Sequence, residues 1–162
     1  MLVFAKFFLS DMHQVCSQMQ PTMKSRIIRF SAKGFILLSA LCLVSVSLQA
    51  FYDPQDVMNL VKVNLPNTDA ASSIRGVYGG VGMALCISLV YLMISDVSKG
   101  LAFLILLWGF YALSRTITIF SEGALGDFGR LWLCIETSFF FIALALFVAY
   151  RRLPAKSAVR PA

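Results

Sequence analysis

Charge and histidine are scarce in this sequence. Of 162 residues, 14% are Asp, Glu, Lys or Arg, and His13 is the single histidine. Soluble domains carry about 25% charged residues, so a water-soluble globule is excluded. Disorder needs low hydrophobicity, and 59% of the residues are hydrophobic. One histidine excludes a haem gripped by paired imidazoles inside a membrane. Cys16, Cys42, Cys86 and Cys134 are scattered one per segment with no Cys-x-x-Cys pair. That spacing removes thiol–disulfide carriers and clustered metal sites, and leaves the cysteines as small apolar fillers. There is no glycine-rich phosphate loop and no Gly-x-Ser-x-Gly elbow. With no nucleophile, base or metal constellation, the expectation is a non-enzyme with no cofactor and no metal.

What the sequence has is blocks of apolar residues, each about as long as the 20 residues that cross about 30 Å of hydrocarbon. Four spans are predicted, at about 34–52, 76–95, 101–120 and 131–150. Irregular backbone cannot face lipid, so each block is expected to be a helix. The fold class expected is an all-α membrane protein, a bundle of four transmembrane helices. Ten of the fourteen basic residues lie before the first block (Lys6, Lys24, Arg26, Arg29, Lys33), between the second and third (Lys99), or after the last (Arg151, Arg152, Lys156, Arg160). By the positive-inside rule these segments are cytoplasmic, so both termini are expected inside, in the cytoplasmic membrane of a bacterium. The net charge of +6 thus marks topology, and no nucleic-acid partner is implied.

The organisation expected is a basic cytoplasmic segment over 1–33, a four-span membrane domain over 34–152 and a cytoplasmic tail over 153–162. Residues 1–10 are apolar but half a span long, which fits an interfacial segment. Met23 opens a conventional basic lead into a span and reads as an alternative start. The first block also resembles a signal peptide ending at Ala50. Leu48 occupies a position where cleavage wants a small residue, so the span is expected to be retained. Pro54 stops the first helix, because the residue before a proline is pushed out of the α region. In the connection that follows, 57–65 reads as a short surface helix, and Thr68 or Asp69 as the cap of a helical start at Ala70. Only 96–100 separates the second and third spans, which makes them antiparallel neighbours. Residues 121–130, with three glycines, read as a turn.

Two charges lie inside spans. Arg115 is five residues from the expected outer end of the third, and Glu136 five from the outer start of the fourth, each about 7 Å deep at a rise of about 1.5 Å per residue. A lone ion at mid-membrane costs about 2.5–3.5 kcal/mol even on lenient scales, so matched opposite charges on adjacent helices are expected to turn inward and pair. Trp108, Tyr111 and Thr118 share the face of Arg115, and Trp132, Phe139 and Phe140 that of Glu136. Arg75, Tyr78 and Arg130 lie at similar depth. Together Arg75, Tyr78, Arg115, Arg130 and Glu136 make a candidate polar cluster, either a register-fixing ion pair or a pocket for an anionic or amphipathic ligand. In the second span Gly76, Gly80, Ala84 and Ser88 recur every four residues, a stripe expected to serve helix packing within the bundle or against another copy. Gly79 and Gly82 widen it.

The pattern of Asn67, Arg75 with Gly79-Gly80, Arg115, the acidic-Gly turn Glu122-Gly123 and Glu136 resembles an uncharacterised family of short four-span bacterial membrane proteins, known only as a domain of unknown function. The resemblance covers about 34–152, and by it Asn67, Arg75, Gly79, Gly80, Arg115, Gly123 and Glu136 are the family's shared positions. The sequence departs from the pattern at Ser114, where the family has a glycine, and at Ala124, where a proline often lies. The resemblance implies an integral membrane bundle and a start just upstream of the first span, in keeping with Met23, and it implies no reaction. The functional expectation is a small accessory or ligand-binding module with its polar site near the outer leaflet, in contact with membrane lipids and with a second copy or a membrane-protein partner. The alternative is a small oligomeric transporter using Glu136 as a coupling carboxylate.

Overall fold

In the computed structural model, which describes residues 2–153 and the side chains of 23–153, every element is helical. His13 and Cys16, the side chains of 1–10, and Lys156 and Arg160 of the tail lie outside that description. Helix α1 (Leu2–Tyr52) is followed by a short α2 (Pro54–Asn59), α3 (Thr68–Ser95), α4 (Val97–Glu122) and α5 (Asp127–Arg151). Met23–Tyr52 of α1 and the whole of α3, α4 and α5 are long and apolar enough to cross a membrane, with 30, 28, 26 and 25 residues. The chain is a four-span all-α membrane protein.

Local chemistry sets the helix ends. Asp53 is extended and its carboxylate accepts the Gln55 N–H at 2.8 Å, while Pro54 takes the first helical position, where its missing N–H costs nothing. The short helix therefore starts at Pro54 and ends at Asn59, earlier than the expected 57–65. Gln55 holds the rest of the connection: Nε2 donates to Asn59 Oδ1 at 2.8 Å and the Val63 carbonyl at 2.9 Å, and Oε1 accepts the Leu65 N–H at 2.9 Å. Lys62 turns the chain with φ 59°. The cap of α3 is Asn67, whose Oδ1 accepts the Ala70 N–H at 2.8 Å, so neither Thr68 nor Asp69 is the cap. From there the helix runs unbroken into the membrane, and 68–75 belongs to the span's helix instead of to the loop. Asp96 alone breaks the chain between α3 and α4. It accepts the Lys99 N–H at 3.1 Å, which holds its carboxyl below the usual carboxylate range. Between α4 and α5 the break shrinks to 123–126, where Gly123 adopts φ 103°, a conformation that favours glycine.

In lipid the tails are as apolar as leucine, so helices associate through close packing and small residues. Helix α1 turns Ala32, Ile36, Ser39, Ala40, Leu43, Ser47 and Ala50 inward at helical spacing, and the other spans pack around this stripe. Helix α3 lies along α1 through Gly79 and Gly82, where an added Cβ would sit 2.9 Å from the Phe51 ring and 2.2 Å from Ser47 Oγ. Helices α4 and α5 form a second extensive pair, through Leu104, Trp108, Phe139, Phe140 and Ala143. Contact between α3 and α4 is slight by comparison. They are sequence neighbours, as expected, and at their junction Ile36 of α1 and Leu92 of α3 both reach the space beside Gly100.

The stripe of Gly76, Gly80, Ala84 and Ser88 does not face the bundle. Nothing lies within 4 Å of a Cβ added at Gly76 or Gly80, and Ala84 and Ser88 are exposed. The backbone of 75–81 is π-helical. All four stripe residues stay on the side turned away from α1. The packed face is Gly79, Gly82, Cys86 and Leu89.

Candidate functional site

Arg115 of α4 and Glu136 of α5 meet: Arg115 Nε donates to Glu136 Oε2 at 2.7 Å. Arg115 lies seven residues before the end of α4 and Glu136 nine after the start of α5, about 10 and 14 Å along their axes. The helices are longer than the apolar blocks, so the pair is further from the helix ends than the span arithmetic places it, but the depths still match. Glu136 is 2% exposed, the one buried ionisable residue among those described. Arg115 is the outer partner, with 24% of its side chain accessible.

Aromatic residues enclose the carboxylate from below. The Trp108 and Phe139 rings meet edge to face at 5.0 Å, and Phe35 of α1 completes the stack at 5.3 Å from Phe139. Trp108 is buried, and its Nε1 donates to Ser39 Oγ at 3.3 Å, which ties α4 to α1 directly under the ion pair. Tyr111 lies 6.0 Å from Trp108 and within electrostatic reach of Tyr78, Glu136 and Arg115. Tyr78 of α3 and Tyr111 of α4 are both about 40% exposed, so the cluster opens to the side where those helices make slight contact. An open groove of about 460 Å³ runs from there down α4, lined by Phe103, Leu106, Leu107, Phe110, Tyr111 and Ser114.

The other residues of the expected cluster are placed elsewhere. Arg75 donates from Nε to the Phe51 carbonyl at 3.3 Å, fastening α3 to the end of α1. Arg130 pairs with Asp127 one turn away on α5, at the exposed helix start. Three arginines therefore do not converge as a positive pocket: Arg115 and Arg130 each have their own carboxylate, and only Arg75 has none among the described residues. Trp132 stacks near Phe128 at 6.1 Å, Phe140 packs on Gly109, and the Thr118 hydroxyl donates to the Ser114 carbonyl of its own helix. A guanidinium has more N–H groups than one carboxylate can accept, and Glu136 is the acceptor that Arg115 meets among the described residues. Its remaining N–H groups have no acceptor among the described residues, and its side chain is 24% accessible. Ser39 is the member of this site that the sequence does not single out, since a serine on an apolar face stands out only once the helices are placed, whereas Tyr111 lies on the face expected for it beside Arg115. Among the described residues there is no group of metal-ligating side chains.

A family model described as Domain of unknown function (DUF4345) matches residues 31–147. The match spans most of the chain and all four membrane helices, and the chain belongs to that family. No curated protein and no solved structure matches it.

Proposed function

We propose that this protein is a non-enzymatic membrane module that holds an amphipathic ligand at the cluster of Tyr78, Tyr111, Arg115 and Glu136, on the outer side of a bacterial cytoplasmic membrane. The observation that carries the reading is a buried carboxylate whose arginine partner is part-exposed and keeps N–H groups that Glu136 does not take, at the head of an apolar groove. Recognition works through donors, since the Arg115–Glu136 pair is neutral as a unit. An acceptor-rich head group, such as a phosphate or carboxylate ester, satisfies the free guanidinium edge and the two phenols, and its chain follows Phe110, Leu107 and Phe103 down α4. Glu136 orients Arg115 by taking the Nε edge, and Trp108 and Phe139 keep water from the far side of the carboxylate. The basic segments around Lys24–Lys33, Lys99 and Arg151–Arg152 support the orientation, by the positive-inside rule. A proton-coupled transporter is less well supported, because a coupling carboxylate has to release its partner in every cycle and Arg115 is the one cation that meets Glu136 among the described residues.

The test is Arg115→Lys. Lysine keeps a cation for Glu136 but presents a point charge without the planar fork. Purified in mild detergent and weighed by native mass spectrometry, the wild type is expected to carry an amphipathic small molecule, and R115K to lose it at unchanged abundance. Identical bound mass in both would refute the reading.

A further inference from the structure

The end of the bundle opposite the donor cluster carries charge of one sign. Lys24, Arg26, Arg29 and Lys33 on α1 and Arg151 and Arg152 at the end of α5 have no carboxylate partner among the described residues, and the acid nearby, Asp96, is paired with Lys99. Two of the arginines are fixed over aromatic rings: Arg29 over Tyr150 at 5.8 Å, from α1 to α5, and Arg151 over Phe147 at 5.5 Å. These contacts bring the two basic segments into one patch across the helix ends. Such patches on soluble proteins attract any polyanion, but this one has an apolar flank. Phe30 and Ile27, 80% and 60% exposed, project from the same turns of α1 as Arg26, Arg29 and Lys33. A 30-residue helix spans about 45 Å, well beyond about 30 Å of hydrocarbon, so the Met23–Lys33 stretch lies at the head-group level or tilts into it.

We infer that this patch binds the anionic phospholipids of the leaflet at the Asp96 end, with their phosphates on Arg29, Lys33, Arg151 and Arg152 and with Phe30 and Ile27 set among the head groups beside them. The aromatic contacts matter because they hold the guanidiniums in place and so reduce the entropy lost when a head group docks. Basic residues at a membrane surface each contribute about 1 kcal/mol of attraction to anionic lipid, about fivefold per residue. The site is independent of the donor cluster at the other end of the bundle.

The protein reconstituted in nanodiscs containing equal amounts of phosphatidylglycerol and phosphatidylcholine, then released for native mass spectrometry, reports which lipid stays bound. The wild type is expected to retain phosphatidylglycerol severalfold over phosphatidylcholine, and the triple variant Arg29→Gln, Arg151→Gln, Arg152→Gln to lose most of that preference. Arg130→Gln, at the opposite end, should leave it unchanged. Should the triple variant insert poorly, the wild type itself supplies the test, since raising salt from 0.05 to about 0.5 M shortens the screening length severalfold and should erode the preference. Equal retention of the two lipids by the wild type, a preference indifferent to salt and to the triple substitution, or an equal loss in R130Q would overturn the inference.

Discussion

The two halves of the Arg115–Glu136 pair are unequal, and removing them one at a time should show it. At 2.7 Å and an effective dielectric of about 20, the charges attract by about 6 kcal/mol. Desolvation takes back several kcal/mol per ion, so the intact pair contributes little net stability. The loss appears when one partner is removed. Arg115→Gln leaves a carboxylate that is 3% accessible with no route to water, a change expected to cost about 3–5 kcal/mol. Glu136→Gln leaves an arginine that is 24% accessible on a long stem, which can bend toward the head groups. The expected cost is the smaller one of a lost charged hydrogen bond, about 1–3 kcal/mol. The double Gln variant is neutral and should recover at least 1 kcal/mol relative to the sum of the singles. Exchanging the charges, Arg115→Glu with Glu136→Arg, should restore abundance only in part, because the longer side chain then occupies the site that is 2% exposed. Thermal unfolding in detergent, with fluorescence of a fused reporter for abundance, reads all four variants. Equal losses for the two single Gln variants, or strictly additive ones, would refute the argument from burial.

Further outcomes follow from the packing. Gly82→Ala places a Cβ 2.2 Å from Ser47 Oγ and is expected to cost about 1–3 kcal/mol; adding Ser47→Ala removes the oxygen and should return the melting temperature nearly to that of the wild type. Gly76→Ala and Gly80→Ala meet nothing within 4 Å, so each should change stability by no more than about 0.5 kcal/mol in the same assay. Ser39→Ala strips the buried Trp108 N–H of its acceptor, and the length of that bond, 3.3 Å, points to about 1 kcal/mol, read by melting and by a shift in tryptophan emission. Asn67→Ala should cost about 1 kcal/mol and speed amide exchange at Asp69 and Ala70. Asp96 should weaken as a cap in acid: its folded pKa is lowered, so its contribution is present above the unfolded value and is lost as pH falls through the folded one, seen as faster exchange at Lys99.

The spans were legible because apolar runs of about 20 residues have few alternatives, and Tyr52 and Ser95 end helices where the pattern ends. The ion pair was legible for a related reason. Two charges inside apolar helices must find partners, and depth arithmetic left one arrangement. The companions were less legible, because depth alone does not say which way a side chain points: Arg75 turns to a carbonyl of α1, and Arg130 to an acid one turn away. Helix starts were misplaced wherever polar residues extend a helix beyond the lipid, since 68–75 has the composition of a loop and the backbone of a span. The small-residue stripe shares one face, as its spacing implies, but that face is turned away from α1, because Gly79 and Gly82 on the adjacent face take the close approach to Phe51 and Ser47.

The same packing logic explains why the bundle opens where it does. Without a hydrophobic force to close gaps, two helices in lipid stay together only where their surfaces let the backbones approach. Helix α1 meets α3 with Ser47 and Phe51 against Gly82 and Gly79, and α4 meets α5 with Gly109 beneath the Phe140 ring. The groove side of α4 carries Phe103, Leu106, Leu107 and Phe110, which hold a neighbour at a distance, while α3 has spent its close-packing glycines on α1. The consequence is a face that the described residues do not cover, beginning at Arg115 and Tyr111. A tighter α3–α4 contact would have buried the spare donors of the ion pair without acceptors, at a cost of about 1–3 kcal/mol for each group left unpaired. The slight contact of these two helices and the part-exposed guanidinium at the head of the groove are therefore two sides of one arrangement.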